Sequence, residues 1–347
     1  MKKYIKLDER KKIILEYIIR DYIETAEPVG SRAIVRKYAL DVSAATVRNE
    51  MSDLEELGYL EQPHTSAGRV PSEKGLRYYV DCIMKVERMP EQAVGALRTQ
   101  LELHMRDLDD VVKAVGQFIS QITNYTSFVI LPALQIRSLQ WVQLVLVSPG
   151  TAMLLAVTDK SVILHHKFAI PEEVSASDLN LISASFNKIL RGKALSELSR
   201  TDLEQLSSGF SRQDKLIDNL LQIIDYLIKD KADEDKIVVN GLLNMLKEPE
   251  FKDIEKLHHV LNLLKEADSI KNFIPEEVGE AVNIRIGREN ASADVQELSL
   301  VFGGYKMIGQ VGKIGLLGPV RMEYWKAAGA VETVRSIIED MLDEYFS

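Results

Sequence analysis

Hydrophobic positions near the start of the chain recur at helical spacing, in short blocks separated by breakers. Ile13, Ile14, Tyr17, Ile18 and Tyr22 follow Asp8, a residue able to cap a helix start, and predict a first helix over residues 9 to 24. "EPVGS" stops it with Pro28 and Gly30, and Ser31 is placed to cap a second helix over "RAIVRKYAL". After the gap "DVS", Ser43 caps a third helix from Ala44 to Leu57, with Val47, Met51, Leu54 and Leu57 on one stripe and Gly58 as its stop. Two short extended segments, "YLEQ" and "RVP", flank a Gly-bearing turn, and Ser72 caps a further helix, "EKGLRYYVDCIM". Helix, helix, helix, hairpin, helix is the order of a winged helix-turn-helix, here residues 1–88 with residues 63–69 as the wing.

Beyond it, residues 89–124 read as a connector helix. Leu101, Leu108, Val115 and Ile122 recur every seven residues, with Leu97, Val111 and Phe118 at the second heptad position and His104 as the exception. The stripe fits either a dimer seam or packing on the next domain. From Thr126 the period shortens: "SFVILPAL", "LQWVQLVLVS", "TAMLLAVT" and "SVILHHKFAI" are apolar, β-branched segments divided by turn signals, and predict one antiparallel sheet. A helix follows near residues 176 to 190. Strand character then gives way to acidic helical pattern for about 80 residues, with "KIVVNGL" as an isolated strand. It returns at "AVNIRIG", "LSLVFGGYK" and "GQVGKIGLLGP", before a last helix over about 328 to 345. A sheet that stops and resumes implies one α+β domain, residues 125–192 and 273–347, with a mostly helical unit, residues 193–272, inserted into it.

Composition narrows the class. The 347 residues, 46% hydrophobic and 27% charged, suit a globular chain of two or three domains. The most apolar region, residues 141 to 157, is split by "SPG" and contains Gln143, so no membrane span is expected. One cysteine, Cys82, excludes an internal disulfide and a Cys-based zinc site, and points to a reducing compartment, the cytoplasm. Cys82 is expected to be packed in a small core.

The net charge of −9 argues against nucleic acid until its distribution is considered. Residues 1–88 hold 16 Lys+Arg and 15 Asp+Glu, so the acidic excess belongs to the rest of the chain. Residues 31–49 carry Arg32, Arg36, Lys37 and Arg48 against Asp41 alone. Because exposed charges are screened within about 10 Å, this local cluster matters more than the total.

A helix fits the DNA major groove, where Arg chelates guanine, Asn chelates adenine, and Thr meets a phosphate or a thymine methyl. Thr46, Arg48 and Asn49 suit that task at the start of the third helix, while Ala44 and Ala45 permit close approach. The wing offers compact donors in His64, Thr65, Ser66 and Arg69 beside Gly68. The candidate DNA-contacting set is Arg32, Ser43, Ala45, Thr46, Arg48, Asn49, His64, Thr65, Ser66 and Arg69. The same residues also fit a solvated helix face and an ordinary hairpin turn.

The stretch "SAATVRNEMSDLEELGYLEQPHTSAGRVPSEKGLRYYVD", with "VNIRIGREN" and "GKIGLLGPVRMEY" near the end, resembles the heat-inducible transcription repressors called HrcA over nearly the whole chain. The resemblance implies a GAF-like domain interrupted by an inserted dimerising domain. It also implies a homodimer that represses chaperone operons by binding double-stranded DNA at an inverted repeat called CIRCE. The GroEL chaperonin would support its activity, which heat stress would remove.

Other features carry less. Gly309, Gly312, Gly315 and Gly318 lack the context of a phosphate-binding loop and read as hairpin glycines. His165-His166 and His258-His259 are adjacent pairs whose side chains diverge, so no metal site is expected, and no cofactor either. Arg321 and Glu323 in "GPVRMEY" read as a surface ion pair or a loop anchor. No catalytic set stands out, which leaves an enzyme with an accessory winged helix as a rival. A second rival is a regulator whose GAF-like sheet senses a small molecule.

Overall fold

The computed structural model describes residues 6–64, 68–104, 108–133, 138–159, 163–190, 216–224, 235–252, 270–271, 273–275, 278–279, 281–307 and 310–346. The chain is a mixed α+β protein with antiparallel sheets. It divides into two compact units, one of residues 1–131, 237–306 and 311–341, the other of residues 132–236, 307–310 and 342–347.

The first unit begins with a four-helix head. In α1 (Glu9–Thr25) the Asp8 carboxylate accepts the Lys11 amide at 2.8 Å, and Ile14, Leu15, Ile18, Ile19 and Ile23 form the buried stripe. The cap of α2 (Ser31–Lys37) is Gly30, so Ser31, expected as the cap, is the first helical residue. Ser43 caps α3 (Ala44–Glu56), accepting the Thr46 amide at 3.0 Å. Gly58, at φ +77°, lets the chain leave α3 in a conformation that a side chain would strain. Strands β1 (Leu60–Glu61) and β2 (Val70–Pro71) pair antiparallel, and Ser72 caps α4 (Glu73–Cys82) through the Gly75 amide at 3.0 Å. Ile18, Ile34, Val47, Leu54, Tyr59, Leu76 and Tyr79 are buried, each aliphatic one contributing about 1.5–3 kcal/mol by leaving water. Cys82 is exposed and not packed: it is the last residue of α4, past the stripe that faces the core.

Two helices, α5 (Glu91–His104) and α6 (Leu108–Thr123), stand where one connector helix is expected. They pack on each other with Leu97, Leu101, Val111, Val115 and Phe118 buried, so the heptad stripe serves packing inside this unit. The later elements are β3 (Thr126–Leu131), β4 (Leu139–Ser148), β5 (Thr151–Thr158), β6 (Ile163–Ala169), α7 (Ala176–Leu190), β7 (Lys236–Asn240), β8 (Asn283–Ile286), β9 (Leu298–Met307), β10 (Gln310–Pro319) and α8 (Tyr324–Phe346).

Five strands form the sheet of the first unit in the order β7-β3-β10-β9-β8. Val129 faces Ile314 in the antiparallel β3–β10 pair, and Ile284 faces Val301 in the β8–β9 pair. Helix α6 lies on β3, where the Ser127 hydroxyl donates to the Gly116 carbonyl at 2.6 Å. Phe128, Ile130, Phe251, Ile274, Leu300, Phe302 and Leu317 belong to one buried cluster. The strand expected to be isolated, "KIVVN", is β7 at the edge of this sheet. Gly312, Gly315 and Gly318 lie in β10 and not in a hairpin turn; Gly309 is outside the described residues. A Cβ on Gly312 would sit 2.1 Å from the Tyr305 ring and one on Gly315 2.4 Å from the Phe128 ring, so these glycines make room for aromatic side chains.

The second unit has its own sheet, in the order β4-β5-β6. The expectation that these strands share a sheet with β8, β9 and β10 therefore differs from the fold: only β3, of the first group, pairs with the late strands. Strand period identifies an extended segment and leaves its partner open. Of the inserted unit expected at 193–272, residues 216–224 are helical and fall in the second unit, residues 237–252 fall in the first, and most of the rest lies outside the described residues. In the second unit, Val142, Leu144, Leu154, Leu164 and Phe168 are buried with Leu179, Ile182 and Phe186 of α7. Helix α7 also satisfies the backbone of β4: Asn187 exchanges two 2.7 Å hydrogen bonds with the Val142 backbone, and the Leu144 amide donates to the Ser183 hydroxyl at 2.8 Å. On the opposite face of the sheet Trp141, Val157 and Ile163 form one cross-strand row and Val145 and Met153 another. Trp141 is 44% exposed, Val145 41% and Ile163 59%. His165 is exposed and His166 half-buried, as strand alternation requires; His258 and His259 are outside the described residues. Among the described residues no helix is long and apolar enough to cross a membrane.

Candidate nucleic-acid interface

Helix α3 is amphipathic in a way that separates packing from possible contact. Val47, Met51 and Leu54 point into the head, leaving Ala45, Arg48, Asn49 and Ser52 exposed along the other side. At its start the Ser43 and Thr46 hydroxyls lie 2.9 Å apart, and Ser43 Oγ accepts the Thr46 amide. The cap thus holds two hydroxyls at a helix N-terminus, the end whose free amides and dipole attract anions. Arg32 is exposed on α2, and His64 is exposed just after β1. Thr65 and Ser66 are outside the described residues.

Charge around α3 is sorted by long-range pairing. Lys11 of α1 reaches Glu50 at 2.7 Å and Asp53 at 3.0 Å, and Arg10 approaches Glu50 at 3.6 Å. The adjacent Glu50 carboxylate, then that of Asp53, raises the Lys11 pKa, so its ammonium stays charged. Two carboxylates that would repel phosphate are thereby neutralised on the helix that also carries Arg48 and Asn49.

The basic residues divide into two groups. Lys37, counted in the local basic cluster, is committed to Asp21 and Glu24 of α1, each at 2.6 Å. Among the described residues Arg32, Arg36 and Arg48 have no carboxylate partner and are exposed. Arg69 is the candidate that the structure places elsewhere: its guanidinium bonds Glu55 of α3 at 2.8 Å through Nε and 2.7 Å through Nη2. Its backbone exchanges bonds of 2.8 and 2.9 Å with Val29. Gly68 makes that pairing possible, because a Cβ there would meet the Val29 carbonyl oxygen at 2.4 Å. Arg69, just before β2, is therefore tied both to α3 and to the loop before α2.

Sequence reasoning missed Lys11, whose role depends on a partner about 40 residues away in the chain. It also left Arg321 without a function. Arg321 pairs with Glu248 at 2.6 Å and with Glu250, and donates to the Ile23 carbonyl of α1 at 2.9 Å; Glu323 pairs instead with Lys326.

Comparison with known proteins adds a second line of evidence. The family described as HrcA protein C terminal domain matches residues 109–328. The heat-inducible transcription repressor HrcA of Pelotomaculum thermopropionicum is 39% identical over 341 residues, 98% of each chain. That of Carboxydothermus hydrogenoformans is 38% identical over 337 residues, 97% of this chain and 98% of its own. A crystal structure of a hypothetical protein at 2.2 Å resolution, 23% identical, shares the fold with a TM-score of 0.74 over 98% of this chain and 100% of its own.

Proposed function

Since the chain belongs to the HrcA family of heat-inducible transcription repressors, negative regulators of heat-shock genes, we propose that residues 1–88 act as a winged helix whose α3 enters the major groove of operator DNA. The observation that carries this reading is α3 itself: a capped start with paired hydroxyls, Ala45, Arg48 and Asn49 exposed, and its nearby acids held by Lys11. Arg48 and Asn49 read base edges, Ser43, Thr46 and Arg32 meet phosphates, and Ala45 keeps the approach close. His64 meets the DNA backbone or the minor groove, and Thr65 and Ser66 are assigned to the same contact from the sequence alone. Arg69 serves as the anchor that holds the wing against Glu55.

A two-fold pair of identical heads suits an inverted-repeat operator with two identical half-sites, and the family resemblance implies that this repeat is of the CIRCE type. In place of residues 193–272, where the sequence puts dimerisation, we assign the contact between copies to the open face of the β4-β5-β6 sheet, where Trp141, Val145 and Ile163 are exposed. The resemblance implies support by a chaperonin of the GroEL type, and an apolar face left open in a monomer is compatible with that partner. The GAF-like reading of the five-stranded sheet follows the family resemblance.

Titration of the full-length protein with the inverted-repeat duplex at several salt concentrations tests the contacts. Arg48→Ala and Asn49→Ala are each expected to weaken specific binding by about 1–3 kcal/mol, and Arg32→Ala to lower the salt slope by about one. Unchanged binding in all three variants removes the assignment.

A further inference from the structure

Three sequence stretches with no evident chemistry, "SEKGLRYYVD", "VNIRIGREN" and "GPVRMEY", meet where the head joins the rest of its unit. Arg77 of α4 has a side chain only 14% exposed. It donates to Glu289 through Nε at 2.8 Å and again through Nη2, and to the Ile284 carbonyl of β8 at 2.6 Å. Burial opposes its charge, but Glu289 and then Asp81 outweigh that and raise its pKa. Glu289 is itself braced by the Ile286 amide at 3.0 Å, and Glu73 of α4 accepts the Arg288 amide at 3.3 Å.

The second contact is Arg321, 10% exposed, which joins the last turn of α1 at Ile23 to Glu248 and Glu250. The third is Trp325 of α8. The Arg20 guanidinium lies 4.6 Å from its ring centroid, and the Tyr79 ring meets it edge-on at 6.2 Å. A cavity of about 300 Å3 lined by Arg20, Ile23, Glu24, Tyr38, Glu323 and Trp325 lies beside this stack. The joint therefore combines directional contacts with a cavity beside the Trp325 stack. Bidentate guanidinium–carboxylate pairs fix angles as well as distances.

We propose that Arg77, Arg321 and Trp325 are positioning residues that hold the head at one orientation on its unit, and so set the separation and angle at which a two-fold pair of heads meets its two half-sites. The inference rests on the DNA-binding reading above. Breaking the joint leaves each head able to bind a half-site but uncouples the pair, so the gain from binding both at once falls.

The test uses the full chain as wild type, Arg77→Gln, Glu289→Gln, Arg321→Lys and, as a control outside the joint, Arg98→Gln, which removes the exposed pair with Asp340. The probes are an inverted-repeat duplex from a chaperone-operon promoter, the same duplex with five base pairs inserted between half-sites, and a single half-site. Wild type and Arg98→Gln should prefer the natural spacing over the inserted one by at least about tenfold. The three joint variants should bind the half-site like wild type, which also reports a folded head, yet lose about tenfold on the full repeat and lose the spacing preference. Arg321→Lys retains a charge beside Glu248 and Glu250, so it guards against an effect of an uncompensated buried acid. Joint variants that keep the spacing preference overturn this inference alone; wild type that ignores every duplex overturns the DNA-binding reading and this inference with it.

Discussion

Lys11 of α1 and Glu50 of α3 form an ion pair at 2.7 Å, with side chains 18% and 14% exposed, and the same ammonium holds Asp53 at 3.0 Å. A residue in the supporting helix thus offsets acidic charge on the helix that exposes Arg48 and Asn49. Lys11→Met is expected to destabilise the head by about 1–3 kcal/mol, since it strands a largely buried carboxylate, and to weaken duplex binding beyond the stability loss. Thermal melting and a duplex titration well below the melting point check the two effects separately. A variant that melts lower but binds as tightly as wild type refutes the electrostatic part.

The start of α1 gives the head a dependence on acid. The Lys11 amide, donating to the Asp8 carboxylate, holds its pKa below the usual carboxylate range. A carboxyl group that ionises more readily when folded adds stability above its unfolded pKa of about 3.9, and that stability is lost as pH falls through the lower folded value. Asp8→Asn keeps a capping oxygen and should narrow the difference between urea stabilities at pH 7 and pH 3. Asp8→Ala should cost about 1 kcal/mol at pH 7. An Asp8→Asn acid profile that overlays the wild type would show that the cap does not titrate in this way.

The open face of the second unit predicts an assembly phenotype. Trp141→Glu or Ile163→Glu puts charge on side chains that are 44% and 59% exposed, so each chain should fold with an unchanged circular dichroism spectrum. Sedimentation velocity should then report a dimer for wild type and a monomer for the charged variants. A charged variant that remains a dimer moves the contact between copies to another surface.

Local features of the head were legible in the sequence because their physics is local. Ser43 and Ser72 cap the helices they precede, Gly58 ends α3, and the apolar stripe of Val47, Met51 and Leu54 faces inward. Arg69 was not legible as an anchor, since its partner Glu55 lies across a turn and nothing in the spacing marks the pair. Lys37 looked like part of a basic surface until Asp21 and Glu24 were seen around it. The same limit explains the sheets: apolar, β-branched composition marks β3 and β4 alike as strands, and only long-range pairing assigns β3 to β10 and β4 to β5. Among the candidate contacts, the α3 set lies on one helix, where sequence spacing is enough to place residues on a common face.

The place of β3 between β7 and β10 has a consequence for biosynthesis. The Tyr305 hydroxyl donates to the Ile130 carbonyl of β3 across 175 residues, and β10 follows Tyr305 in the chain. At translation rates of about 5–20 residues per second, a nascent chain carries "SFVIL" without β10 for on the order of ten to forty seconds. During that interval the finished head has no seat for Arg77, because Glu289 has not yet left the ribosome. Emergence of the last quarter of the polypeptide is therefore the event that both closes the sheet and aligns the head.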